Sequence, residues 1–392
     1  MRITHINRIP ENIFDQLGFY WYKSPDNQRY VADELVAITQ REGDACYQAA
    51  EQIYDMFIAA GQYVIDHKLY PLLDIPESLI ELIELTWEDE SHFHIIGRFD
   101  FAGGLDGRPI KLIEFNSDTP SMIFETALVQ WMLLRHNRID EERQFNNLYE
   151  TIKASFIRMK ALHPVFGLDE HSIPLALFSC FDLGLEDENT TRLMEEIAYE
   201  SGFITGFEFI DKVRFSKEGI IANQNDEPFD YWYKYIPYEL IGTEEPELAH
   251  ILTDIVKTGK VRLINPPYVL LFQSKGIMKL IWDLFTGHPL LLETQFEPLH
   301  GRPFVEKKTL SREGANVRIY DRNRRLLDQT EGEYERYRSV FQELADLPKD
   351  ESDRYYQMGV FFSYEPCGLG FRREKGIINN NSQFVGHYIE AT

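Results

Sequence analysis

Large apolar residues alternate with other types along two neighbouring runs, 94–101 and 109–116. Gly103, Gly104, Asp106 and Gly107 lie between them, a pattern that predicts two strands and a turn. Side chains on a strand alternate faces, so Arg98 and Asp100 share one face of the first run and Glu114 and Asn116 one face of the second, with isoleucines and phenylalanines opposite. These polar groups meet on one surface only if opposed residues have an even index sum, Asp100 facing Glu114 and Arg98 facing Asn116. A tight Asp106-Gly107 turn gives an odd sum and sends the second polar set to the wrong face. The pattern therefore predicts a loop with an odd number of residues, or a bulge, helped by the glycines.

The same reading divides the rest of the chain. Residues 1–33, with Pro10 and Pro25, read as an irregular opening segment; from Asp33 to about His67 the period turns helical, with Ile53, Met56, Phe57 and Ala60 at i, i+3, i+4 and i+7. A second helix is predicted near 78–87 after Pro76, both helices packing behind the hairpin. Helices are also predicted over 122–134 and 141–163. A strand-helix-strand unit follows: a strand at 173–180, a loop at 182–189 with four acids, a helix ending near Gly202 and a strand at 203–210. The aromatic run 229–240 lies against the core with one buried cation, Lys234. A helix over 245–258 stops at Gly259, and a short strand at 261–265 ends at Pro266-Pro267. The last third shows a helix after Gly276, two strand-like halves around the polar loop 311–316, and an alternating run at 356–371, without repeats.

Composition narrows the class. With 392 residues, 44% of them hydrophobic and 14% aromatic, the chain can bury a large core and reads as an enzyme-sized globular unit. Forty basic against 64 acidic side chains leave a formal charge of −24, which repels nucleic acid and anionic membranes and would favour a polycationic substrate. The same charge also suits any acidic protein kept soluble by repulsion. Cys46, Cys180 and Cys367 stand far apart, so neither a disulfide framework nor a cysteine-rich zinc site is expected. The first residues lack the apolar core of a signal peptide and no apolar run nears the ~18 residues of a membrane span, so the expected location is the cytoplasm.

Several groups carry candidate chemistry. Asp100, Glu114 and Asn116, beside the fixed cation Arg98, suit a hard ion such as Mg²⁺ that also holds phosphate oxygens; the same spacing fits a solvated hairpin face with a cross-strand ion pair. Thr119 and Ser121, ahead of an apolar helix, can hold a carboxylate or phosphate, or cap the helix. Glu186, Asp187 and Glu188 follow a strand's carboxyl end, where they can meet an amine or stay solvated. Lys275, and a strand lysine ahead of the small-residue loop with Arg312 and Gly314, make a workable phosphate grip, though neither a Walker motif nor a dinucleotide fingerprint is present and an ordinary hairpin turn reads the same. Arg372, past a glycine-permitted turn, can clamp a carboxylate or join a surface salt bridge.

In their order along the chain, RFDF at 98–101, IEFNSDTPS at 113–121, NPP at 265–267, SKGIMKLIWDLF and HPLLL within 274–292, KTLSREGANV at 308–317 and GLGFRRE at 368–374 resemble the synthetase domain of the glutathionylspermidine synthase family. The resemblance covers nearly the whole chain. It implies an α+β, circularly permuted ATP-grasp fold with helical N-terminal packing, a strand-helix-strand substrate lobe and an ATP-phosphate lobe, about 1–135, 136–258 and 259–392 of a single synthetase unit. It implies an ATP-dependent acid–amine ligase that works through an acyl phosphate, with a glutathione-like acid and a polyamine-like amine, ATP as co-substrate and two Mg²⁺ ions. Asp100, Glu114 and Asn116 would hold Mg²⁺, and Arg98 would stabilise the charge that develops. Lys275 and Lys307 would grip the phosphates, with Arg312 and Gly314 on the covering loop. Thr119, Ser121 and Arg372 would hold the acid, and Glu186 with Asp187 the amine partner or glutathione's amino end. This chain departs from the family at Lys307-Lys308, where a Lys-Pro pair is usual and either lysine could face ATP, and at Ser311, where a glycine is usual. It resembles members without an amidase domain. A nucleotide-binding regulator without turnover and a phosphotransferase that stops at the acyl phosphate are the alternatives.

Overall fold

The two runs around the glycines form a hairpin, Gly97–Ala102 against Lys111–Asn116, in a computed structural model that describes residues 1–23, 28–164 and 173–391. Pro25 lies outside the described residues. Arg98 faces Asn116, Phe99 faces Phe115 and Asp100 faces Glu114, the even-sum register that brings the polar set together; below them a bulge resets the pairing to Phe101 with Leu112 and Ala102 with Lys111. Ile113 is the extra residue. As a result Leu112 and Phe115 both turn into the core, while Ile113 joins Glu114 on the cleft side, contrary to the strict alternation that put the isoleucine opposite. The loop is not a two-residue turn: the Gly104 N–H donates to the Arg108 carbonyl at 3.2 Å and the Arg108 N–H to that of Leu105 at 3.0 Å. Gly103 has φ 79°, and a Cβ there would lie 1.9 Å from the Pro109 carbonyl oxygen, so only glycine fits.

The hairpin ends a seven-stranded sheet whose spatial order is Ile3–His5, Val31–Ile38, Gln383–Ile389, Glu365–Glu374, Tyr355–Ser363, Gly97–Ala102, Lys111–Asn116. All neighbours are antiparallel except Val31–Ile38 with Gln383–Ile389, which run parallel. Two expectations change here. The opening segment supplies an edge strand and a helix, Glu11–Leu17, and 33–38 is strand, with the helix starting only at Gln40. The boundary is Thr39, whose hydroxyl accepts from the Glu42 N–H while Glu42 accepts from the Thr39 N–H, a capping box that ends the strand VADELVAI and starts the helix. That helix, Gln40–His67, does lie behind the hairpin: Phe57 packs 5.1 Å from Phe115, which stacks on Phe99 at 3.8 Å. Helix Glu77–Glu88 packs instead on Pro246–Lys257.

A parallel four-stranded sheet, ordered Arg262–Ile264, Tyr231–Tyr235, Leu175–Cys180, Ile204–Phe209, holds the strand-helix-strand unit. Three of the four acids expected in a loop before its helix, Glu186, Asp187 and Glu188, form the helix's first turn, because Leu185–Glu200 starts right after Gly184 and carboxylates stabilise the positive end of a helix dipole; Asp182 alone stays ahead of it. Helix 141–163 is shorter than expected, Leu148–Leu162, since the chain before it runs beside the C-terminal hairpin, Asn146 bridging to Gly368. An antiparallel five-stranded sheet, ordered Thr294–Gln295, Ser339–Glu343, Phe304–Lys308, Arg318–Tyr320, Leu326–Gln329, carries the last third. The architecture is mixed α/β with several sheets. Among the described residues no helix is long and apolar enough to cross a membrane.

Candidate active site

The polar face of the hairpin is fixed before any partner approaches it. Arg98 donates from Nε and Nη2 to the two oxygens of Asp100 at 2.7 and 3.0 Å, and Asn116 donates its amide N–H to Asp100 at 3.0 Å, which leaves the amide oxygen of Asn116 as an acceptor. Arg98 can lie flat there because Gly359 pairs with Asp100 across the sheet; a Cβ on that glycine would come within 2.8 Å of Arg98 Cδ. The motif at 265–267 anchors the hairpin's ends. Asn265 accepts from the N–H groups of Ile95 and Ile96 at 2.8 and 3.2 Å and donates to the Ile96, Ser117 and Asp118 carbonyls.

The lysines of the last third reach the same face. Lys275, in the link between helices Val269–Gln273 and Ile277–Leu284, places Nζ 3.5 Å from Glu114 and donates to the Ser311 carbonyl at 2.7 Å. Lys307, on Phe304–Lys308, lies 3.8 Å from Glu114 and donates to Gln342. Its neighbour Lys308 points the other way, to Glu335 at 3.0 Å and Ser339, as adjacent strand residues must. Burial pushes the Glu114 carboxyl up, but Lys275, Lys307 and Arg98 outweigh it and hold it well below the usual carboxylate range. Burial also pushes Lys307 down; Glu114 opposes the shift and Lys275 adds to it. Two carboxylates thus face three cations, a surplus that favours an anion.

At the other end of the cleft Ser121 Oγ receives hydrogen bonds from Arg98 at 3.2 Å and Arg372 at 3.0 Å, and Arg372 also donates to the Asn379 carbonyl at 2.9 Å. Glu186 and Asp187 face this region. Burial, then Glu125, push Glu186 up to about 8, with Asp187 and Glu313 adding to the shift and Arg372 opposing it; burial and Glu313 push Asp187 up to about 6 against Arg312. Glu125 is 1% exposed and accepts from Trp21 Nε1 at 3.0 Å and the Tyr30 hydroxyl at 2.9 Å. An ammonium bound beside such a carboxyl displaces its proton, and the carboxylate that results is a stronger base than an ordinary one for taking a proton from the ammonium.

Of the candidate residues named from the sequence, Arg98, Asp100, Glu114, Asn116, Thr119, Ser121, Glu186, Asp187, Lys275, Lys307, Arg312, Gly314 and Arg372 line one cavity of about 650 Å³, whereas Glu188 pairs with Arg192 at 2.8 Å outside it. Lys308 does not line it either. Among the described residues no group of three or more His, Cys, Asp and Glu side chains could hold a metal alone. Two carboxylates and an amide oxygen on adjacent strands nevertheless fit Mg²⁺, which takes few protein ligands and completes its octahedron with water and phosphate oxygens. Sequence reasoning missed Glu125, Glu239, Glu313 and Gly359. A glycine inside the alternating run at 356–371 was the one available signal; the roles of the three acids become visible only once the elements meet.

The chain matches the glutathionylspermidine synthase preATP-grasp family model over residues 1–390. It is 26% identical to a putative acid–amine ligase of Haemophilus influenzae over 405 residues, covering 99% of each chain. It is 24% identical over 350 residues to the bifunctional glutathionylspermidine synthetase/amidase of Escherichia coli, covering 83% of this chain and 54% of that one, so it spans about half that relative's length. A solved glutathione synthetase-like effector from Globodera pallida superposes with a TM-score of 0.56 at 10% identity, over 98% of each chain, a likeness of fold.

Proposed function

We propose, from the premise that this chain belongs to the glutathionylspermidine synthase family, that it is an ATP-dependent acid–amine ligase with a circularly permuted ATP-grasp arrangement. One observation carries the reading: the oxygen donors Asp100, Glu114 and Asn116 and the ammonium groups of Lys275 and Lys307 meet across a single cavity, at 3.5 and 3.8 Å from Glu114. A carboxylate and a triphosphate repel each other, and a site that joins them must neutralise both. Mg²⁺ bound at the three donors would supply that neutralisation between the phosphates. Lys275 and Lys307 grip the phosphates beneath the loop that carries Arg312 and Gly314. Thr119, Ser121 and Arg372 orient the acid, whose carboxylate oxygen attacks the γ-phosphorus as the bond to the β-phosphate oxygen breaks, leaving an acyl phosphate and ADP.

Arg98, tied to Asp100 and Ser121, steadies the negative charge as the amine nitrogen adds to the acyl carbon and phosphate departs. Glu186 and Asp187 hold the incoming ammonium and accept its proton. A glutathione-like acid and a polyamine are the first substrates to try. Incubating the protein with MgATP and a panel of acids and amines should give ADP only when both are present, with an amide in the product mass. Tight nucleotide binding without ADP release across a broad panel would favour a regulator instead, and a stable phosphorylated acid without amide a phosphotransferase.

A further inference from the structure

One buried carboxylate at the rim of the cleft has no part in the roles above. Glu239 stands in the first turn of helix Tyr238–Glu244 and is 2% exposed. It accepts from both Nε and Nη2 of Arg312, the second bond at 3.0 Å, the two-pronged geometry that makes guanidinium–carboxylate pairs strong. The remaining nitrogen, Nη1, donates to Thr119 Oγ1 at 2.8 Å. Behind the pair, Asp118 lies 3.9 Å from Arg312 and binds the buried Lys234 at 2.7 Å. Burial pushes the Glu239 carboxyl up, and Arg312 more than reverses it.

Arg312 belongs to the segment 309–317 that joins Phe304–Lys308 to Arg318–Tyr320 and whose Ser311 carbonyl receives Lys275. With its charge matched by Glu239 and its free edge on Thr119, this arginine is placed to dock the segment, leaving the phosphates to Lys275 and Lys307. We propose that Glu239 is a positioning residue. It seats Arg312 and thereby holds 309–317 across the cleft, so that one guanidinium joins the lysine side of the site to the Thr119 side. The inference rests on the ligase reading only in calling that cleft a nucleotide site.

Its test needs no turnover and so succeeds or fails apart from that reading. Hydrogen exchange of the full chain without nucleotide is followed by mass spectrometry in the wild type, Glu239→Gln, Arg312→Gln and the double variant. The reporters are the amides of Ala315, bonded to the Arg312 carbonyl at 2.9 Å, and Val317, bonded to Thr330 Oγ1 at 3.0 Å. Each single change should speed exchange in 309–317 by at least about tenfold while the central sheet is unaffected, and the double variant should be no faster than either single. If Glu239→Gln does not fold, Arg312→Gln reads the same bond from its other end. In assays, Glu239→Gln should raise KM for MgATP more than it lowers kcat, with part of the loss recovered in Glu239→Asp. Wild-type exchange in Arg312→Gln, or strictly additive effects in the two singles, would overturn the proposal.

Discussion

At the scale of single residues, the pair Lys307-Lys308 is where chain order and geometry part. The sequence offers two equivalent lysines, and only the register of Phe304–Lys308 on Ser339–Glu343 decides that Lys307 faces Glu114 and Lys308 faces Glu335. Lys307→Met should therefore raise KM for MgATP by about tenfold or more, as loss of a charge-assisted contact does, whereas Lys308→Met should stay within about twofold, its partner being a half-exposed carboxylate. The acids at 186 and 187 were legible as candidates, but not their protonation, which depends on Glu125 and Glu313 from distant parts of the chain. An ammonium between Glu186 and Asp187 favours their charged forms. Binding of a polyamine at pH 7 should thus release about one proton, measurable by calorimetry in buffers of different ionisation enthalpy, and should tighten between about pH 6 and pH 8 while the amine stays charged. Glu186→Gln should remove most of this dependence, and a pH-independent affinity would take Glu186 out of the amine site. For the protein alone the sign is opposite. The folded Glu186 carboxyl binds its proton above the ordinary 4.5, so its contribution to stability is full below that value and is lost as pH rises through about 8.

At the scale of elements, the hairpin was readable because a polar set with period two leaves few registers open. The even-sum pairing could be deduced, and a bulge was one of its two solutions, but which residue bulges is settled by packing. Leu112 and Phe115 both fill the core against helix Gln40–His67, and Ile113 is displaced to the cleft. Of the strand at 31–38, the part from Asp33 on was misread as helix because a run such as VADELVAI satisfies either period over so short a length, and the capping box at Thr39 and Glu42 that marks the change was overlooked. Gly359 shows what a neighbouring strand contributes. Gly359→Ala should keep Tyr355–Ser363 in the sheet yet push Arg98 off Asp100, and a displacement of that size should cost about 10²-fold in kcat with little change in the denaturation midpoint. An equally large loss of stability would mean that the glycine serves packing alone.

At the scale of the whole molecule, the parts are joined by buried charge. Lys234 from the parallel sheet and Asp118 from the hairpin's exit are both fully buried and bonded at 2.7 Å, and Asp118 also receives the Tyr238 N–H. Lys234→Met or Asp118→Asn alone should lower unfolding free energy by about 3–5 kcal/mol, and the double variant by less than the two together, as chemical denaturation would show. Such long-range pairings were not legible in the sequence: a lysine amid aromatics could be read as buried, but nothing local names its partner. The family motifs fared better because each is a contiguous stretch of chain, read without knowing what packs against it.

The parallel pairing of Val31–Ile38 with Gln383–Ile389 carries one more consequence, for how the protein is made. A ribosome exposes the first of these strands long before the second, which lies near the other end of the residues described, and at roughly 5–20 residues per second the interval is on the order of tens of seconds. Throughout it the newborn polypeptide presents an apolar ribbon whose neighbour has yet to be translated. The amount of native protein a cell recovers therefore depends on what shelters that ribbon until its neighbour emerges.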